Sequence, residues 1–229
     1  MHNIEDNIRS VISLINSFLR EKDSVRESVI KKARDIIREA GYAVTDVHKG
    51  DLSSAKSRIM DLRAKVSGLI SQLRNHPELM YSNLLYNALA EYAEAEIFYA
   101  IVIDGKLPTP SELNLHPVPY LQGLLDVVGE IKRYTLSLLR NREINRAWRY
   151  FSIVETIYEV TKALDYPDAL VPGLRRKVDI ARAVVENLRA FLIDIQFRFE
   201  LIDKLRAVSY THLRAHETSL HLVCRLLLE

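Results

Sequence analysis

Four carboxylates stand out because of the company they keep. The stretch YSNLLYNALAEYAEAEIFYAIVI, Tyr81 to Ile103, is almost wholly apolar and is interrupted by Asn87, Glu91, Glu94 and Glu96. Such a pattern predicts a largely buried helix. Glu91 and Glu94 are three residues apart, about 60° around its axis, while Glu96 points about 140° away from Glu91. In PYLQGLLDVVGEIKRY, Pro119 to Tyr134, Asp126 and Glu130 are four apart, about 40° around the axis, with Gln122 one turn earlier. Each helix therefore carries two acids on one face. Like charges among Ala, Leu, Val and Tyr repel one another and cannot all stay ionised without a cation. A metal ion is the simplest such cation. No histidine lies at helical spacing from these acids, so oxygen-only ligation favours Mg²⁺, or Mn²⁺, over zinc or iron. The Glu-x-x-His pattern of di-iron bundles is absent as well. The competing arrangement is solvated acids, or acids paired with Lys132 and Arg133, and spacing alone leaves both open.

These side chains need elements to hold them. Seven Gly and seven Pro in 229 residues are too few for the turns of an all-β fold, and 48% hydrophobic residues suffice for one sizeable core. The punctuation predicts an all-α chain of about seven helices. The first covers residues 4–20, with Ile4, Ile8, Val11, Ile12, Ile15 and Phe18 forming an apolar stripe. Ser24 and Glu27 make a capping box that opens a second helix, running to His48. A third spans residues 53–74, and the fourth starts at Pro77 and reaches Ile103. Four prolines between Lys106 and Pro119 dictate an extended loop. The fifth helix follows to Arg140, the sixth covers residues 142–164, and the seventh runs from Pro172 toward Leu205 with Val178, Ala181, Val185, Leu188 and Leu192 inward.

Charge is segregated along the chain. Between residues 79 and 131 one base, Lys106, faces seven acids, while both flanks are net basic. One cysteine excludes an internal disulfide, which points to a reducing compartment. The uncharged runs Leu79–Ala90 and Leu113–Leu125 fall short of the ~18 apolar residues of a membrane span. MHNIEDNIRS lacks the apolar stretch of a secretory signal. A cytoplasmic protein without a membrane partner is expected.

Two of these segments, EYAEAEIFYAI (Glu91–Ile101) and PVPYLQGLLDVVGEIKR (Pro117–Arg133), resemble the signature segments of the translin and translin-associated factor X family. ARDIIREAGYAVTDVH (Ala33–His48) and LVPGLRRKVDIARAVVENL (Leu170–Leu188) are similar to its first long helix and its last. The resemblance spans roughly residues 20–195. It implies a seven-helix, translin-like bundle that assembles into a closed, barrel-like oligomer around a chamber and binds RNA and single-stranded DNA. It implies further that Glu91, Glu94, Asp126 and Glu130 are the catalytic and metal-binding acids of a Mg²⁺-dependent endoribonuclease. Ions held by them would activate water for phosphodiester hydrolysis of single-stranded RNA. Translin itself, the non-catalytic subunit, places Arg and His on the helix before this motif; here MYSNLLYNALA has neither. That departure moves the resemblance toward the catalytic, trax-like subunit. The alternative is a non-catalytic RNA- or DNA-binding scaffold subunit. A homo-oligomer, such as an octamer-like shell, or a hetero-oligomer with a translin-like subunit is implied.

An acidic metal site needs cations nearby to admit RNA. Lys132 and Arg133 follow Glu130, and Lys31, Lys32, Arg34 and Arg38 lie on the second helix; these six are the candidate phosphate contacts. Arg175, Arg176 and Lys177 read instead as a solvated charge run. Tyr86, Tyr92 and Tyr99 suit core or subunit packing. The nearly uniform apolar character of the fourth and fifth helices suggests that part of their surface is covered by other subunits. Residues 1–207 form the single domain. The remainder, 208–229, has the texture of translated vector sequence, and its His212, His216, His221 and Cys224 are zinc-ligating types in an otherwise unstructured context.

Overall fold

The computed structural model describes the backbone of residues 2–80 and 82–226 and the side chains of residues 4–80 and 82–206. Among them there are six α-helices and no strand: α1 (His2–Lys49), α2 (Leu52–Leu73), α3 (Asn83–Tyr99), α4 (Pro117–Arg140), α5 (Ile144–Thr161) and α6 (Leu174–Leu226). The expected count of seven is corrected to six because the first two helices are one. No Gly or Pro interrupts residues 2–40, so Ser24 and Glu27 sit inside α1 and the capping-box pattern caps nothing. Several other boundaries follow the sequence closely. Asp51 caps α2 by accepting from the Ser54 N–H at 3.1 Å, and Gly105, at φ 66°, closes a π-helical turn, Ala100–Asp104, that ends α3. The fourth expected helix begins later than its proline suggested. Pro77–Leu79 makes a separate 3₁₀ turn before α3 starts at Asn83.

α3 is the axis of the molecule. α1 and α4 pack along its sides, α2 covers α1, and α5 and α6 pack on α4 and on each other. The core runs without interruption from Val29 of α1 through Phe98 and Ile97 of α3 and Ile131 of α4 to Leu188 and Leu192 of α6. Most of α3 is thus buried within one chain, Asn83 and Asn87 remaining exposed. Tyr92 and Tyr99 are in this core as expected.

Apolar surface remains elsewhere. Every side chain from residue 4 to residue 21 is exposed, including the stripe from Ile4 to Phe18, and at the other end of the chain Phe197, Leu201 and Leu205 are exposed on α6. Both ends belong to long helices that outrun the core. The backbone of α6 continues to Leu226, so the expected boundary at residue 207 is not marked by a break in the helix. The side chains of the tempting zinc set, His212 to Cys224, lie outside the described residues. No helix among the described residues is long and apolar enough to cross a membrane.

Candidate active site

One glycine sets the geometry of the carboxylates. A Cβ on Gly123 would lie 2.5 Å from the Ala90 carbonyl oxygen, 2.6 Å from the Ala93 Cβ and 2.8 Å from the Glu94 nitrogen. Only a residue without a side chain lets the α4 backbone rest directly on α3 at that turn. Asp126 and Glu130 follow Gly123 along α4, while Glu91 and Glu94 flank the contact on α3. Close helix packing therefore brings the two acidic faces together. The four carboxylates act on one another electrostatically, most visibly at Glu94. Burial, then Glu91, Asp126 and Glu130, push its carboxyl up to about 8. Glu91 is raised as well, by burial first and by Asp126 next.

Two side chains from distant parts of the chain reach this group. Lys177, at the start of α6, brings its Nζ to 2.5 Å from Asp126 Oδ1 and 3.5 Å from the Gln122 carbonyl oxygen. His48, at the end of α1, places Nε2 2.5 Å from Glu130 Oε2 and packs its ring on Phe98 at 4.8 Å. That hydrogen bond is the main reason the Glu130 carboxyl is lowered. Among the described residues no three acids, histidines or cysteines are drawn into a ready-made metal cage; Asp126 and Glu130 are engaged by Lys177 and His48 instead. The donor set still suits a hard divalent cation. Its four carboxylates are near enough to feel one another's charge, and burial first, then that charge, pushes the Glu94 carboxyl up to about 8.

Sequence reasoning missed both partners. Lys177 was grouped with Arg175 and Arg176, and the structure corrects this. Arg175 is solvated and pairs with Asp165, whereas Lys177 is largely covered and faces the acids. Helical spacing held the signal, because Lys177 lies about 40° from Ala181 and 20° from Leu188 around α6, on its buried side. His48 has the same kind of signature, about 20° from Ile37 on α1. Its partner is 82 positions away, so no local spacing could have shown the pair.

The six candidate phosphate contacts separate in space. Arg34 shares the face of α1 that carries Ile37 and His48, and it is exposed without an ion pair among the described residues. Lys31 is likewise exposed. Arg38 is engaged by Asp35 and by Glu39, at 3.7 Å from the latter. Lys32 turns toward α2 and donates to Gln72 Oε1 at 2.5 Å. Arg133 is exposed with Nη1 3.7 Å from Glu130 Oε2, and Lys132 is half-buried on the same turn. Arg34 and Arg133 are thus the candidates aligned with the acids.

Beside the carboxylates a cleft of about 910 Å³ opens between α3, α4 and the turn leading into α6. Glu91, Asp126 and Lys177 line one end of it, and Tyr86, expected in core or subunit packing, lines the other.

A six-helix bundle whose central helix shares a carboxylate cluster with a glycine-docked neighbour defines a narrow class. The Translin family model matches residues 3–198, and the chain belongs to that family. An uncharacterized protein of Methanocaldococcus jannaschii is 33% identical over 197 residues, covering 85% of this chain and 86% of that one. Among solved structures, AfC3PO in complex with duplex RNA superposes with a TM-score of 0.75 at 27% identity, covering 82% of this chain and 97% of that chain. A second AfC3PO structure gives 0.75 at 28% with the same coverage. Apo-NeC3PO, at 21% identity and a TM-score of 0.73 over 80% of this chain and 96% of its own, shows likeness of fold alone.

Proposed function

We propose that this protein is a Mg²⁺-dependent, trax-like endoribonuclease that cuts single-stranded RNA within a closed oligomeric shell. Mn²⁺ is the natural substitute. The observation that carries the reading is the gathering of Glu91, Glu94, Asp126 and Glu130 at the glycine-docked α3–α4 contact, where burial first and the neighbouring acids next push the Glu94 carboxyl up to about 8. A structural relative solved in complex with duplex RNA supports nucleic acid as the ligand class. The four carboxylates would hold the ion. Once bound, a divalent ion supplies charge stabilisation and an acidified water for phosphodiester hydrolysis. His48 holds Glu130 in place, and Lys177 is freed from Asp126 to meet a phosphate.

The second reading, a non-catalytic RNA-binding scaffold, draws on the same geometry, since Lys177 and His48 already engage two of the acids. Substitution separates the two. Asp126→Asn abolishes cleavage while RNA affinity and oligomer size stay near wild type if the acids hold a catalytic ion. Retained cleavage removes Asp126 from the essential ligands. Charge reversal at Arg34 and Arg133 weakens RNA binding and flattens its dependence on salt, measured by titration at several ionic strengths.

A further inference from the structure

α3 presents one continuous face to the cleft. Asn83, Tyr86, Asn87, Ala90 and Glu91 all line it, and these positions fall within about 140° of one another around the helix. The face changes character along its length. It begins with an aromatic ring and two exposed amides and ends in carboxylates, Glu91 lying about 6 Å along the axis from Asn87 and about 12 Å from Asn83. The facing wall is the turn before α6, where Leu170 lines the cleft although it is 61% exposed. That turn is anchored from within, because buried Gln122 donates its Nε2–H to the Pro172 carbonyl at 2.9 Å and Gly173 takes φ 71°. Ile37 of α1 closes a third side. Lys177 is the one cation among the described residues that line it, and it sits at the carboxylate end.

Apolar walls, amide groups between them and a cation at one end match the chemistry of a nucleotide. A base has a stackable face and an edge of donors and acceptors, and a carboxamide can pair with either kind of edge group. Inside a duplex both are occupied, so only an unpaired base can enter such a cleft. We propose that the cleft is a subsite for one unpaired nucleotide of the substrate strand. Its base lies between Tyr86 and Leu170, its edge meets Asn83 and Asn87, and Lys177 draws its phosphate toward the carboxylates. This rests on the nucleic-acid reading above and specifies what that site takes.

The test compares binding of a short single-stranded RNA and of an equally long abasic ribose–phosphate strand, by fluorescence anisotropy on the full chain with Ca²⁺ in place of Mg²⁺. Tyr86→Ala should weaken the intact strand roughly tenfold, the scale of one lost base stack, and leave the abasic strand unchanged. Tyr86→Phe should restore most of the affinity, and Leu170→Asp, on an exposed turn, should repeat the loss. Circular dichroism and oligomer size report whether each variant is folded. Equal weakening of both strands by Tyr86→Ala and Leu170→Asp, or no change in either strand, overturns the subsite. Wild-type protein that binds no RNA overturns the functional reading and the subsite together, whereas wild-type protein that binds and cleaves without these differences overturns the subsite alone.

Discussion

At the scale of residues, the charge balance of the site fixes how it responds to pH. The Glu94 carboxyl sits at about 8 in the folded chain against an ordinary 4.5, so the folded state disfavours its ionised form. Stability is therefore highest below pH 4.5 with respect to this group and is lost as pH rises through about 8. Glu130 has the opposite sign, since its carboxyl is lowered by His48 and its contribution is lost as pH falls below the ordinary carboxylate range. Chelator-treated protein should accordingly show a melting temperature that falls between pH 5 and 8. Glu94→Gln should flatten that fall, and Mg²⁺ should reverse it by binding the ionised form. A melting curve in EDTA that does not vary over this range contradicts the assignment. The acids themselves were legible in the sequence because buried carboxylates on an apolar helix are costly and thus conspicuous. Lys177 was not, because a run of three bases hides which of them turns inward. The pair of His48 with Glu130 depends on tertiary packing and leaves no local trace.

At the scale of elements, the site depends on the distance between α3 and α4. Gly123→Ala places a methyl group 2.5 Å from a backbone oxygen, which helix separation alone can relieve. Denaturant unfolding should register a loss of about 1–3 kcal/mol, the range of overpacked cores, and cleavage should fall further than stability does. Unchanged activity would show that the α3–α4 spacing does not set the carboxylate geometry. On the opposite side of α3, Glu96 is fully buried and accepts two hydrogen bonds from Arg63, at 2.6 and 2.7 Å. Arg63→Ala leaves that charge without its partner and should cost about 3 kcal/mol or more, measured the same way. Helix α1 shows where sequence reading misleads at this scale. A capping box is a start signal only where the chain leaves helical geometry, and nothing in residues 2–40 makes it leave. Gly50, Asp51, Gly105, Pro117 and Gly173 mark other helix ends, and those were legible, whereas the starts of α3 and α5 carry no side-chain cap.

At the scale of the molecule, the long helices outrun their own core. Residues 4–21 expose an apolar stripe, and α6 exposes Phe197, Leu201 and Leu205, more apolar surface than a monomer ordinarily leaves to water. Association with another chain would cover such surface. Ile8→Asp with Ile15→Asp should lower the assembly state seen by light scattering and leave the helical content unchanged, because neither side chain touches the core. An assembly of unchanged size would assign contact between copies to other surfaces. Truncation after residue 207 should leave folding and cleavage intact, and loss of either would make that tail part of the native protein. The central claim is that Glu91, Glu94, Asp126 and Glu130 hold a catalytic divalent ion. Its most direct test is the cleavage of an end-labelled single-stranded RNA in Mg²⁺, in EDTA, and in Mg²⁺ with the Glu91→Ala and Glu94→Ala double variant. Cleavage in the first condition alone is the predicted result. Cleavage that survives in the double variant, or RNA bound by wild-type protein in Mg²⁺ without being cut, would contradict it.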